Sequence, residues 1–596
     1  MKHSNPQPLK TILALLAAAV LASAQPVRRP QPVPYQAPDP RELLGAAPAD
    51  LGPFLERYMS DWRNLRKFYD LPISSTTGRV MRQFYQAWRA SLDQIDFDSL
   101  AQEARIDYLL FRNKLDREIR QLDLNRRRYE EISELIPFAG AIVDLKETRQ
   151  RVDPMDAAAA AAVVGRIGAQ ADELSKRIDA PTKGSEIKIA QTVAYRAART
   201  VDQLREVLKN WFGFYNEYDP AFTWWVAQPY QKTAGSLEKY AGLIREKLSG
   251  IKPGDRDTIV GDRVGREALM SELAYEMIPY TPEQLLEIAK REFAWCDAEM
   301  LRASRDLGYG DDWKKALEHV KTDYVPPGQQ PALVLGQALE AIDYVQDHNL
   351  VTVPPLARQT WRMDMMSPER QRINPFFTGG EMLSVSYPTA GMTEEQKLMT
   401  MRGNNIHFSR ATVFHEVIPG HFLQQYMGER YRRYRGIFST PFSVEGWALH
   451  WEMLLWDLGF PKTPENRIGM LFWRMHRCAR IIFSLSFHLD KMTAQECVDF
   501  LVNRVGHERE NAAAEVRRSF ETDEYGPLYQ AAYMLGALQF RALHKDLTGP
   551  GRMSERDFHD AILKMNAIPV AMVRASLTKQ PLQKDFASSW KFYGEL

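Results

Sequence analysis

His415-Glu416-Val417-Ile418-Pro419-Gly420-His421 sets two imidazoles and a carboxylate within seven residues, near the start of the last third of the chain. Two neutral histidines can hold a divalent zinc ion, and a carboxylate beside them is positioned to take a proton from a water that zinc polarises. On a regular helix, zinc-binding histidines sit at i and i+4, where they share a face. Here position i+4 is Pro419 and the second imidazole comes two residues later, roughly 120° away around an ideal helix. Pro419 removes a backbone donor and Gly420 tolerates unusual dihedrals, so the pair predicts a local bulge that swings His421 back towards His415.

Zinc needs a third protein ligand and an open fourth position. The stretch Ser443-Val444-Glu445-Gly446-Trp447-Ala448-Leu449-His450-Trp451-Glu452 offers Glu445, with Glu452 two turns further along the same face. A carboxylate among Trp447, Leu449 and Trp451 is costly to bury alone, and either a metal or an arginine would relieve it. His450 is the rival ligand, but helical spacing points it away from Glu445, as a packed core histidine. The direct reading is therefore His415, His421 and Glu445 as metal ligands, with Glu416 as general base.

Working outward, the chain reads as helical. Apolar residues recur at three- and four-residue spacing over 51–69, 80–92 and 99–122, and long charge-laced helices follow at 190–213, 236–249 and 282–305. Asp156 is placed to N-cap the alanine-rich run behind it. The best strand signal is Glu381–Tyr387, with 350–353 and 359–363 as candidate partners. The expected fold is mainly α: a large helical, metallopeptidase-like unit over 41–596 with a small sheet beside the HEVIPGH helix.

The 596 residues carry 77 Lys+Arg against 76 Asp+Glu. No basic stripe marks a nucleic-acid binder. At the N-terminus, Lys2 and Lys10 flank the apolar run Ile12–Leu21, which ends in Ala22-Ser23-Ala24. This predicts a secretory signal over 1–24, cleaved after Ala24, and a secreted or periplasmic protein without a stable membrane anchor. The run is shorter than the about 20 apolar residues a membrane span needs. Residues 25–40 read as a Pro-rich, extended spacer. Cys296, Cys478 and Cys497 are too few for a disulfide scaffold; a Cys478–Cys497 pair is conceivable in an oxidising compartment, but their apolar settings favour buried thiols.

HEVIPGH-Phe-Leu-Gln followed by EGWALHWE resembles the bacterial domain-of-unknown-function family numbered 885, with its HE-x-x-P-G-H and E-G-W-A-L-Y-x-E motifs. LAQEARIDYLLFRNKL at 100–115, the stretch from Ala479 to His488, Glu515–Arg518, PLYQAAYMLG at 527–536 and Phe558–Pro569 extend the likeness over most of the mature chain. That family is similar in arrangement to gluzincin metallopeptidases, which use two His and a distant Glu. The resemblance implies His415, His421 and Glu445 as zinc ligands, Glu416 as base and Tyr533 as a transition-state hydrogen-bond donor. It also implies substrate contacts from Arg480, His488 and Arg518. Ser484, Ser486, Ser519 and His450 depart from the family pattern, which bears on substrate preference rather than on the metal.

The expected function is zinc-dependent hydrolysis of peptide bonds, with short peptides as substrate. A binding or scaffold protein without turnover, and a zinc amidase or esterase, are the alternatives.

Overall fold

The structure, a computed structural model, describes residues 34–44, 50–180, 187–371, 373–522 and 525–594. The signal peptide expected over 1–24 and most of the 25–40 spacer lie outside these residues. The described end of the spacer, 34–39, has no regular structure, yet Tyr35 packs its ring on Phe84 and Trp88.

The chain is mainly helical, as the periodicity requires. Helix α1 (Gln102–Glu130) follows three shorter α-helices among the described residues. Next come α2 (Ala157–Asp179), α3 (Gln191–Tyr215), α4 (Pro220–Leu243) and α5 (Pro282–Asp306). Asp156 caps α2 by accepting from the Ala159 N–H at 3.0 Å. Strands β1 (Met363–Met365) and β2 (Leu383–Val385) precede the helices that carry the motifs. These are α6 (Ile406–Glu416), α7 (His421–Gly428), α8 (Pro441–Asp457), α9 (Pro464–His488), α10 (Arg509–Phe520) and α11 (Tyr529–Leu547).

Although no linker interrupts the sequence, the apolar interior divides in two. Residues 132–244, dominated by α2, α3 and α4, enclose one cluster, and the rest of the chain encloses a larger one. Polar contacts join the lobes: Arg196 of α3 pairs with Asp262 at 3.0 Å, and Arg128 of α1 shares the same carboxylate. The motif helices all belong to the larger lobe.

The sheet has two parallel strands, with Met363 opposite Leu383. The segment 350–353 forms no strand, and 359–363 only reaches β1 at Met363. β2 is buried along its length. Leu383 and Val385 bond to the β1 side, while Ser384 exchanges both of its backbone bonds with Thr378, at 2.8 and 3.1 Å. Both edges of β2 are therefore taken.

The three cysteines are buried and free. No described helix is long and apolar enough to cross a membrane.

Candidate metal centre

The predicted bulge is a complete break between two helices. α6 ends at Glu416, because Val417 (φ −100°, ψ −104°) leaves helical space and Pro419 has no N–H to continue the ladder. The Ile418–Pro419 peptide is cis. The Gly420 N–H then donates to Phe414 O at 3.1 Å, and α7 starts at His421. A Cβ on residue 420 would fall 1.7 Å from the His415 carbonyl oxygen, so only glycine lets the chain fold back this tightly. Trp447 Nε1 donates to Pro419 O at 2.9 Å and fixes the corner to α8. The two imidazoles end up face to edge, 4.8 Å between centroids.

A second close approach lies beside Glu445. α8 and α11 cross at Gly446 and Gly536, where a Cβ on Gly446 would meet Gly536 backbone at 2.5 Å and one on Gly536 would meet Phe442 O at 2.1 Å. α8 sets Glu445 Oε2 3.2 Å from His421 Nε2 and 3.5 Å from His415 Nε2, and its crossing with α11 sets Tyr529 against the same carboxylate. Ligand-capable atoms of the three residues all lie within 4.8 Å of one another, the one such group among the described residues. Two imidazole nitrogens and a carboxylate oxygen are donor types that zinc takes, and the two Glu445 separations are close to the about 3.4 Å edge of a tetrahedron with bonds of about 2.1 Å.

The remaining atoms support that set. Glu452, on the same α8 face as Glu445, receives His415 Nδ1 at 2.6 Å, which leaves Nε2 directed at Glu445. Tyr529 donates its hydroxyl to Glu445. Burial disfavours charge on His415, but Glu445, Glu452 and Glu416 outweigh it and lift its pKa to about 9. Against burial, the two imidazoles hold the Glu445 carboxyl well below the usual carboxylate range. Three carboxylates around two imidazoles thus call for positive charge, which either protons or a divalent ion can supply.

Glu416 lies 3.8 Å from His421 Nε2, in the same cleft, and burial raises its pKa. Tyr533 stacks its ring 6.1 Å from His415, and its hydroxyl oxygen accepts from Arg518 Nη2 at 3.4 Å. Arg480 donates Nε to Glu515 at 2.8 Å. All seven of these sequence-derived residues, the three ligand candidates with Glu416, Tyr533, Arg480 and Arg518, line one cleft of about 610 Å³. His488 does not. It lies eight positions beyond Arg480 on α9, about 12 Å along the axis. There it packs on Phe487 and Phe520, and burial beside Arg128 and Arg263 depresses its pKa to about 3.

A family model described as bacterial protein of unknown function (DUF885) matches residues 70–577. The chain belongs to that family. Among solved structures, a presumed lipoprotein of unknown function from Shewanella oneidensis is similar in fold, with 18% identity and a TM-score of 0.64, over 89% of this chain and 100% of that one. A presumed lipoprotein from Colwellia psychrerythraea follows at 14% identity and TM-score 0.53, covering 89% and 97%. No functionally curated protein matches.

Within this DUF885 chain, the departures from the family pattern sit off the metal cluster. Ser519 donates to the Glu515 carbonyl at 2.7 Å, and His450 turns away to meet His559. Glu452, noted in the sequence on the Glu445 face, proves to hold His415. Two cleft residues escaped the sequence reading, Tyr529 four positions before Tyr533 and Arg477 three before Arg480. Each sits at a helical spacing from a residue already singled out.

Proposed function

We propose that this protein is an exported, zinc-dependent peptidase acting on short peptides. The convergence of His415, His421 and Glu445, with Glu416 beside them and His415 oriented by Glu452, carries this reading. Zinc held by those three residues would act as a Lewis acid, polarising a carbonyl and lowering the pKa of a bound water to roughly 7. Glu416 takes a proton from the attacking water on its carboxylate and passes it to the leaving amine nitrogen. Tyr533, whose hydroxyl accepts from Arg518 and donates to the Tyr529 oxygen at 3.3 Å, would turn that proton from Tyr529 to the developing oxyanion. β2 offers no free edge for substrate backbone to join as an extra strand, since Ser384 and its neighbours have spent their backbone groups. Export is supported by the leader-like residues 1–24 and by the description of both structural relatives as presumed lipoproteins.

The test is zinc content and hydrolysis of a peptide pool, read by mass spectrometry, for the wild type and Glu416→Gln. Both should hold zinc, and the variant should lose about 10² to 10⁴ in rate. A wild type that binds no zinc, or hydrolysis that survives in Glu416→Gln, sinks the reading. Zinc with ester or non-peptide amide hydrolysis only would mark an esterase or amidase. Zinc with no turnover at all would mark a binding protein.

A further inference from the structure

One wall of the cleft is cationic. Arg477 and Arg480 on α9 and Arg518 on α10 line it, and each is at most 7% exposed. The Arg480 and Arg477 guanidiniums stand 4.2 and 4.8 Å from the centroid of the Tyr533 ring, the same ring that stacks beside His415. A single aromatic side chain therefore bridges the arginines and the metal cluster.

The carboxylates that touch these arginines leave some of their donors unused. Glu515 is fully buried and answers Arg480 at 2.8 Å and Arg518 at 3.9 Å. Glu452 is 3.6 Å from Arg477 but already holds His415 Nδ1 at 2.6 Å. Arg480 Nη1, Arg477 Nε and Arg518 Nε are buried without a hydrogen-bond partner. Burial and the neighbouring Arg480 also depress the Arg477 pKa. A buried guanidinium with idle donors facing a cleft is costly unless an anion completes it.

From the three arginines, their idle nitrogens and the one-ring separation, we infer that this wall binds the free C-terminal carboxylate of a peptide, so that the site is a carboxypeptidase. The inference rests on the peptidase reading of the same cleft. Guanidinium forks match carboxylates in geometry as well as charge. An extended residue spans about 3.3–3.6 Å, so one tyrosine ring of separation sets the carboxylate one or two residues beyond the scissile bond. The products should be single residues or dipeptides released from the C-terminus.

The test compares three peptides of one sequence on the zinc-loaded protein: the free acid, the C-terminal amide, and an amide whose last residue is Glu. Cleavage by the wild type is measured as kcat/KM, and binding is measured on Glu416→Gln. The free acid should exceed the plain amide by roughly 10- to 100-fold in both. Arg480→Lys, which keeps the charge opposite Glu515, should lower kcat/KM for the free acid more than for the amide and so shrink the acid-to-amide ratio. A merely structural role would lower both together. Equal, Glu416-dependent cleavage of acid and amide would overturn the carboxypeptidase inference and leave the peptidase standing. An amide ending in Glu that performs as well as the free acid would assign the wall to an acidic side chain, and also overturns it. Preferential binding of the acid without any hydrolysis would keep the carboxylate site and remove the peptidase. Neither preference nor hydrolysis would remove both.

Discussion

Two buried histidine clusters flank α8. On one face, His415 and His421 meet Glu445 and Glu452. On the other, His450 of α8 sets Nε2 3.1 Å from His559 Nε2, with His544 close by. His415 and His450 are equally buried, at 1% and 2% exposure, yet they ionise in opposite directions. Carboxylates lift His415 to about 9, whereas burial and the neighbouring histidines hold His450 well below its usual value and His559 at about 4. Burial alone makes an inert core histidine; the carboxylates brought to His415 change its ionisation, and α8 supplies them on one face only.

The largest expected effect separates the two clusters directly. His421→Ala should lose zinc and hydrolysis, while His450→Phe should keep both, as read by metal analysis and peptide turnover. Zinc loss in His450→Phe would break the comparison. Next in size, Glu452→Gln should weaken zinc about 10- to 100-fold, because it removes the acceptor that aims His415. A competition titration against a chelator measures this. Gly536→Ala should destabilise the protein by about 1–3 kcal/mol in urea melts, since the added carbon overlaps Phe442 backbone at the α8–α11 crossing.

The smallest effect extends the comparison to carboxylates. Glu515, buried between Arg480 and Arg518, is held at about 2, while Glu276, buried next to Thr440 at the start of α8, is pushed up to about 8. Unfolded, the Glu276 carboxyl loses its proton near pH 4.5; folded, it keeps it to about pH 8. Between those values the folded state binds the extra proton, so stability falls as pH rises, by at most about 1.4 kcal/mol per pH unit. Glu276→Gln should flatten that fall in melts taken from pH 5 to 8; an unchanged slope would reject the assignment.

The helices were legible where apolar spacing is regular: 99–122 overlaps α1 from Gln102 onward and 282–305 lies within α5. α4 was not read over its first half, because Pro229 and the exposed Trp224 and Trp225 break the pattern of a packed helix. The strand at Glu381–Tyr387 was recognised from its alternation, but not the partner Thr378 that closes its second edge, since pairing is set by tertiary contacts. Among site residues, His415, Glu416, His421 and Glu445 announce themselves by residue type and spacing. Tyr533, Arg480, His488 and Arg518 came from resemblance alone, and only three of those four reach the cleft.

By itself, the sequence determined a mainly helical protein and a two-imidazole, carboxylate-rich motif with a proline and a glycine in its middle. Local chemistry suffices for that, since periodicity and backbone permissiveness are properties of neighbouring residues. Tertiary structure alone decided that HEVIPGH is a helix break rather than a bulge, and that Glu445 of α8 reaches both histidines. It likewise set Arg477 and Arg480 one tyrosine ring from His415, with Arg518 at that tyrosine's hydroxyl. Residues from α6 to α11 meet there only because helices distant in sequence pack together, and no spacing along the chain encodes those distances.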